Sequence, residues 1–106
     1  MASKSTSDKY AAVYEAVRQI PKGCVTGYGI IGYMADVNPR VVGYALHSNP
    51  DSKLTPCHRV VFKDGKLTPG YVFGGENAQR DRLLDEGVVF DIDGKVSKES
   101  FWSPYP

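Results

Sequence analysis

The sequence is poor in cysteine and has no long apolar run. Its two cysteines, Cys24 and Cys57, are too few for a disulfide-stapled scaffold, and neither lies in a C-x-x-C pair or a Cys/His array with zinc spacing. Free thiols in a reducing compartment are the expectation, with no metal and no cofactor. No stretch of about 18 apolar residues could span a bilayer, and the N-terminal "MASKSTSDK" is polar where a signal peptide would be apolar. The chain therefore reads as soluble and intracellular, without a membrane partner. Internal repeats and low-complexity tracts are absent too, so the chain is a succession of short, distinct elements.

A strong charge bias is also missing, since the net charge is +1. The charges are nevertheless uneven. Residues 1–66 hold nine Lys/Arg against five Asp/Glu, whereas residues 67–106 hold four against seven. A basic and an acidic surface can coexist in such a chain, which permits a polyanionic partner on the basic side. With 106 residues, 42% of them hydrophobic, the chain suits one small domain over 1–106, with residues 1–6 expected to be disordered.

Local signals divide that domain. Ser7 and Asp8 can cap a helix in which Val13, Ala16, Val17 and Ile20 recur at helical spacing, and "PKG" at 21–23 ends it. "IIGYMA" and "VVGYALHS" read as two short helices around the turn signal Asn38-Pro39, the second running from about Pro39 to about His47. Such a pair is the unit that helix-turn-helix proteins dock on DNA, although most helix pairs in small domains only build core. "CHRVVF" reads as an extended segment that turns at Asp64-Gly65. "GGENAQRDRLLDEG" reads as a helix with Leu83 and Leu84 facing inward and Gly87 as its stop, and "VVFDIDGKVSKESF" as a last hairpin before the aromatic tail "FWSPYP". The fold class is α+β, a mostly helical single domain, winged helix-turn-helix-like, with short hairpins.

Chemistry concentrates at "TPCHRVV", residues 55–61, where the Cys57 thiol stands beside the His58 imidazole. A thiol is nucleophilic as thiolate, and histidine is the side chain best suited to take its proton near neutral pH. In an extended segment, however, neighbouring side chains face apart, so a direct transfer would need an irregular backbone or a bridging water. Pro56 favours the irregular backbone. A carboxylate would have to orient the imidazole, and Glu86 is one of several candidates. Taken alone, the pair also reads as a buried cysteine with a histidine neighbour. Cys24, between Gly23 and Val25, reads as a packing residue, and His47 as a surface or phosphate-contacting one.

"PCHRVV" resembles the active-site motif of the O6-alkylguanine-DNA alkyltransferases. "IPKGCVTGYG" is similar to that family's "IP-x-G-x-V-(S/T)-x-Y-G" entry to its helix-turn-helix, and "RVVGYALHSNP" to its arginine-bearing recognition helix and following Asn-Pro. "GG" with a downstream "RLLDEG" completes an ordered series from Ile20 to Gly87. The resemblance implies single-turnover DNA repair, in which an O6-alkylated guanine is flipped from the duplex and its alkyl group moves irreversibly to a cysteine. At matching positions Cys57 is the acceptor, His58 activates it through a water, Glu86 partners the histidine, and Asn49 holds the active-site turn. Tyr28 matches the tyrosine that crowds the flipped nucleotide's phosphate, and Arg40 the arginine that fills the emptied stack. Gly43 and Ala45 would allow close approach to the minor groove, while Pro56, Val72, Phe73 and Gly74 fall at the substrate pocket.

Tyr44 and Phe73 depart from the small residues usual at their positions, and the segment from Tyr28 to Arg40 is about two residues short of the family pattern. The family's N-terminal domain has no counterpart. Length, the spacing to "RDRLL" and the tail "FWSPYP" resemble instead the alkyltransferase-like proteins, in which the cysteine is replaced and the bound lesion passes to nucleotide excision repair. Here Cys57 is retained. The expectation is a methylated-DNA–protein-cysteine methyltransferase, monomeric, acting on double-stranded DNA in the cytoplasm at the nucleoid, or in a nucleus. The alternative is a base-flipping lesion sensor that recruits excision-repair proteins.

Overall fold

The structure, a computed structural model, describes residues 5–105. Helix α1 (Thr6–Arg18) starts where the Ser5 hydroxyl accepts a hydrogen bond from the Asp8 amide at 3.1 Å. The cap is therefore Ser5 rather than Ser7 or Asp8: the hydroxyl must precede the first free amides to reach them. Of the stretch 1–6 expected to be disordered, Ser5 and Thr6 form the cap and first residue of α1, and residues 1–4 lie outside the described residues. Val13, Ala16 and Val17 face inward from α1, and Ile20 continues the stripe beyond its end.

The two-residue strand β1 (Thr26–Gly27) leads directly into α2 (Tyr28–Ala35), and α3 (Pro39–His47) follows after a short turn. Asn38 caps α3, its side chain accepting from the Arg40 amide at 2.9 Å, and Pro39 occupies the first turn, where no amide is needed. The turn closes tightly because Gly32 has no side chain: a Cβ there would lie 2.8 Å from the Val37 carbonyl oxygen. The expected helix pair is thus present, the second helix with its expected bounds and the first starting two residues before "IIGYMA", and α1 packs across both. Val42, Ala45 and Leu46 of α3 complete the first core cluster with Ile31 and Ala35 of α2.

The segment from Cys57 is not extended throughout. Cys57–Arg59 form a 3-10 turn, and only Val60–Val61 form a strand, β2. β2 pairs in parallel with β1, Thr26 opposite Val60 and Gly27 opposite Val61. Beyond it the backbone reverses at Asp64-Gly65 as expected, the Phe62 amide donating to the Lys66 carbonyl at 3.0 Å. Gly65 has φ +92°, and a Cβ there would meet the Val96 carbonyl oxygen at 2.5 Å, so the turn is packed directly against the last hairpin. That hairpin is held by the antiparallel bridge Phe90–Val96. The aromatic tail returns to the centre, where Val25 bridges Phe101 and the Trp102 amide donates to the Val25 carbonyl at 2.7 Å.

Helix α4 (Gly75–Asp85) ends at Glu86, with Gly87 at φ +87° as its stop. Leu83 is fully buried in a second cluster with Val25, Val61, Leu67, Val88 and Val96. Leu84, expected to face inward, is 52% exposed. Neighbours on a helix diverge by about 100°, and the inward face of α4 is taken by Leu83 and by Gln79 four residues earlier. No helix among the described residues is long and apolar enough to cross a membrane. We expect Leu83→Ala to cost about 2–5 kcal/mol of unfolding free energy in urea, and Leu84→Ala less than about 0.5 kcal/mol. Equal losses would contradict this placement of α4.

Candidate functional site

The 3-10 turn changes the relation between Cys57 and His58. At about three residues per turn neighbouring side chains do not alternate across a strand, and both lie buried beneath the same corner of the molecule. Pro56 precedes the turn with ψ 69° and is itself buried. The loop before it is closed by Asn49, whose Nδ2 donates to the Thr55 carbonyl at 2.9 Å while its Oδ1 accepts from the Asp51 amide at 3.1 Å. The same Thr55 carbonyl accepts from the Cys57 amide at 2.8 Å. Asn49 thus braces the turn through Thr55, two residues before Cys57.

Behind the turn stands Glu86. His58 Nε2 donates to Glu86 Oε1 at 3.0 Å, and Arg59 grips both carboxylate oxygens, through Nε at 3.0 Å and through Nη2. Arg59 Nη1 also donates to the Ile20 carbonyl at 2.9 Å, so the end of α1 joins the same network. With Nε2 donating, the neutral ring carries its free lone pair on Nδ1, which is buried and has no protein partner among the described residues. Burial pushes the imidazole below its ordinary value of 6.5, with Glu86 opposing and Arg82 and Arg59 reinforcing. For Glu86, burial acts upward, but Arg59 and His58 outweigh it and hold the carboxyl below 4.5. Burial raises the Cys57 thiol above 9.0, against the pull of Asn49 and the Arg82 charge.

Cys57 lies at a cleft of about 610 Å³ between α3 and the segment 68–72. Tyr28, Arg40, Gly43 and Val72 line it, as do Tyr44, His47, Phe62 and Tyr71. Tyr28 is held by a 2.8 Å hydrogen bond between its hydroxyl and that of Thr68. Arg40 is exposed at the first turn of α3, and the space above Gly43 is open. His58, Asn49 and Glu86 do not line the cleft but stand behind Cys57.

Four of the expected residues are placed elsewhere. Ala45 is fully buried and its carbonyl accepts from the Tyr14 hydroxyl, because Gly43 and Ala45 are two apart on a helix and so project to nearly opposite sides. Of the expected pocket residues only Val72 lines the cleft. Pro56 is buried as the lead-in to the turn, Phe73 packs its ring edge-on against Tyr71 at 5.9 Å, and Gly74 is the exposed cap of α4.

Sequence reasoning missed three residues. Arg59 follows the histidine in the motif and could have been read as the carboxylate's partner. Gln79, fully buried, donates to the His58 and Val60 carbonyls at 3.1 and 3.0 Å and accepts from the Thr68 amide at 2.9 Å, so it pins the turn to the cleft wall. Its only sequence signal is a spacing of four from Leu83. Arg82, which donates to the Tyr71 hydroxyl at 2.7 Å, carries no local signal.

The pKa directions make the site acid-sensitive. Unfolded chains protonate His58 at about pH 6.5 and the folded one does so only lower, so folded-state stability is present above that value and lost as pH falls below it. Glu86 adds a second loss as pH falls below its unfolded value toward its depressed folded one. The melting temperature is expected to drop between about pH 7 and pH 5, and His58→Gln to flatten that drop. A melting temperature independent of pH in the unsubstituted protein would refute the neutral, buried imidazole.

Residues 8–88 match the family model described as 6-O-methylguanine DNA methyltransferase, DNA binding domain. The chain is 46% identical over 86 residues to the methylated-DNA–protein-cysteine methyltransferase of Methanopyrus kandleri, covering 80% of this chain and 63% of that protein. It is 39% identical over 82 residues to alkyltransferase-like protein 1 of Schizosaccharomyces pombe, covering 74% of this chain and 75% of the relative. The crystal structure of S. pombe Atl1 in complex with damaged DNA containing O6-carboxymethylguanine superposes with a TM-score of 0.79 at 31% identity, covering 95% of this chain and 100% of that one. The chain spans less than two thirds of the length of several curated relatives, 35% for one from Picrophilus torridus and 51% for one from Thermus thermophilus. With the ordered motifs, the helix pair and the braced Cys57 turn all in place, the chain belongs to the family of 6-O-methylguanine DNA methyltransferase DNA-binding domains.

Proposed function

We propose that this protein binds duplex DNA, flips an O6-alkylated guanine into the cleft beside α3, and transfers the alkyl group to Cys57. The observation that carries the reading is the thiol at the cleft, backed by an imidazole whose Nδ1 is free and whose Nε2 is fixed on Glu86. The Cys57 proton passes toward Nδ1 through a water, Sγ forms a bond to the alkyl carbon, and the carbon–O6 bond breaks with its electron pair moving to the base. The proton then neutralises the guanine. The thioether is stable, so each molecule acts once.

Flipping a base costs a few kcal/mol in lost pairing and stacking. In this reading Arg40 fills the vacated stack and Tyr28 crowds the adjacent phosphate; the exposure of Arg40 and the position of both residues on the cleft support it. Gly43 leaves room for the groove wall. Such readout through backbone and minor groove tolerates any sequence, as repair requires. The task would place the protein at the nucleoid or in a nucleus.

A second reading has its own support. Burial holds the Cys57 thiol above its ordinary range, which slows a thiolate reaction, and the likeness to the S. pombe alkyltransferase-like protein extends over nearly the whole chain. In that reading the protein senses the lesion and excision-repair proteins complete the work.

Intact-mass measurement after incubation with an O6-methylguanine duplex separates the two. Transfer adds one methylene mass that is lost in Cys57→Ala, whereas tight lesion binding with no added mass supports the sensor. Arg40→Ala is expected to weaken lesion-duplex affinity about tenfold, ~1.4 kcal/mol, with an unchanged melting temperature because the residue is exposed. Unaltered affinity would remove Arg40 from the role of plug.

A further inference from the structure

The cleft is lined by a tyrosine that none of the roles above employs. Tyr71 lines it together with Cys57, yet only 7% of the residue is exposed. Its ring is fixed edge-on by Phe73, and its backbone is pinned at both ends, the amide donating to the Thr68 carbonyl at 3.1 Å and the carbonyl accepting from the Gly75 amide at 2.8 Å. Its hydroxyl oxygen accepts from Arg82 Nη1 at 2.7 Å. Arg82 stands on α4 beside the fully buried Leu83, so its backbone is carried by a helix packed into the core.

A phenol whose oxygen is engaged by a cation has its proton left to offer, and no protein group among the described residues accepts that proton. The neighbouring charge makes it a stronger donor. Burial also raises the Tyr71 pKa, with Arg82 opposing, so the proton is retained at neutral and mildly alkaline pH.

The geometry points to Tyr71 as the residue that donates a hydrogen bond to the acceptor edge of a purine flipped into the cleft, with Arg82 as its positioning residue. Alkylation at O6 removes the proton from N1 of guanine, so N1, O6 and N7 form an edge of acceptors alone. A donor whose proton no protein group among the described residues takes suits that edge better than the edge of unmodified guanine, which carries N1–H. The pair thus adds lesion selectivity to the binding proposed above, and it rests on that reading.

The test is the ratio of affinities for an O6-methylguanine duplex and the same duplex with guanine, measured by fluorescence anisotropy. Tyr71→Phe keeps the ring and should lower the ratio about tenfold with little change in melting temperature. Arg82→Met should do the same with the hydroxyl still present, and Arg82→Lys, which keeps the charge, should restore most of the loss. Because the two act as one unit, the double variant Tyr71→Phe/Arg82→Met should be no worse than the poorer single one. An unchanged ratio in Tyr71→Phe, or fully additive losses in the double variant, overturns the assignment while leaving the proposed function standing. No preference for the lesion in the unsubstituted protein overturns both.

Discussion

Everything at this site depends on one carboxylate. Glu86, at the end of α4, takes the His58 imidazole on one oxygen and the Arg59 guanidinium on both, and Arg59 extends the link to the last carbonyl of the α1 stripe. Three segments far apart in the chain therefore meet at a single charge. The side chains of His58, Arg59 and Glu86 are 4%, 15% and 13% exposed, so the charges have little water to screen them. Loss of one partner from such a buried pair costs about 3–5 kcal/mol, because the other is left uncompensated. The same bond that orients the imidazole also keeps the 3-10 turn in place.

The turn is braced a second time from the other side. Asn49 shares the Thr55 carbonyl with the Cys57 amide, and Gln79 takes the carbonyls of His58 and Val60 while accepting from Thr68 on the cleft wall. Each of these groups is a backbone donor or acceptor that strand pairing would ordinarily use, and β2 is too short to use them. Side chains substitute for the missing sheet. The consequence is a thiol held in position on an irregular backbone, buried enough to be raised in pKa and close enough to Arg82 for that rise to be opposed.

Much of the fold was legible because its signals are local. Asn38-Pro39 and Gly87 act within one helical turn of themselves, as do the Asp-Gly pairs at 64–65 and 93–94, and each lies where the backbone reverses or stops. Errors arose where two local signals competed. Ser5 and Ser7 are both capable caps, and only the geometry of the first turn selects Ser5. Leu83 and Leu84 are equally apolar, and the choice between them is made by what α4 packs against. Gly43 and Ala45 are equally small, yet one opens onto the cleft and the other belongs to the core.

The sequence by itself determined the helix pair, the Asn38-Pro39 start of its second helix, and the residue types of the Cys-His motif, because propensity and periodicity act over a few neighbours along the chain. It also carried the ordered motifs from Ile20 to Gly87 that mark the family. Only the tertiary structure decided that Cys57 and His58 sit on a 3-10 turn rather than a strand, and that Arg59, Gln79, Tyr71 and Arg82 stand around them. Those choices are set by contacts between residues 11 to 28 positions apart, or by which face of a short helix meets the core. Neither is written in any single stretch of the chain.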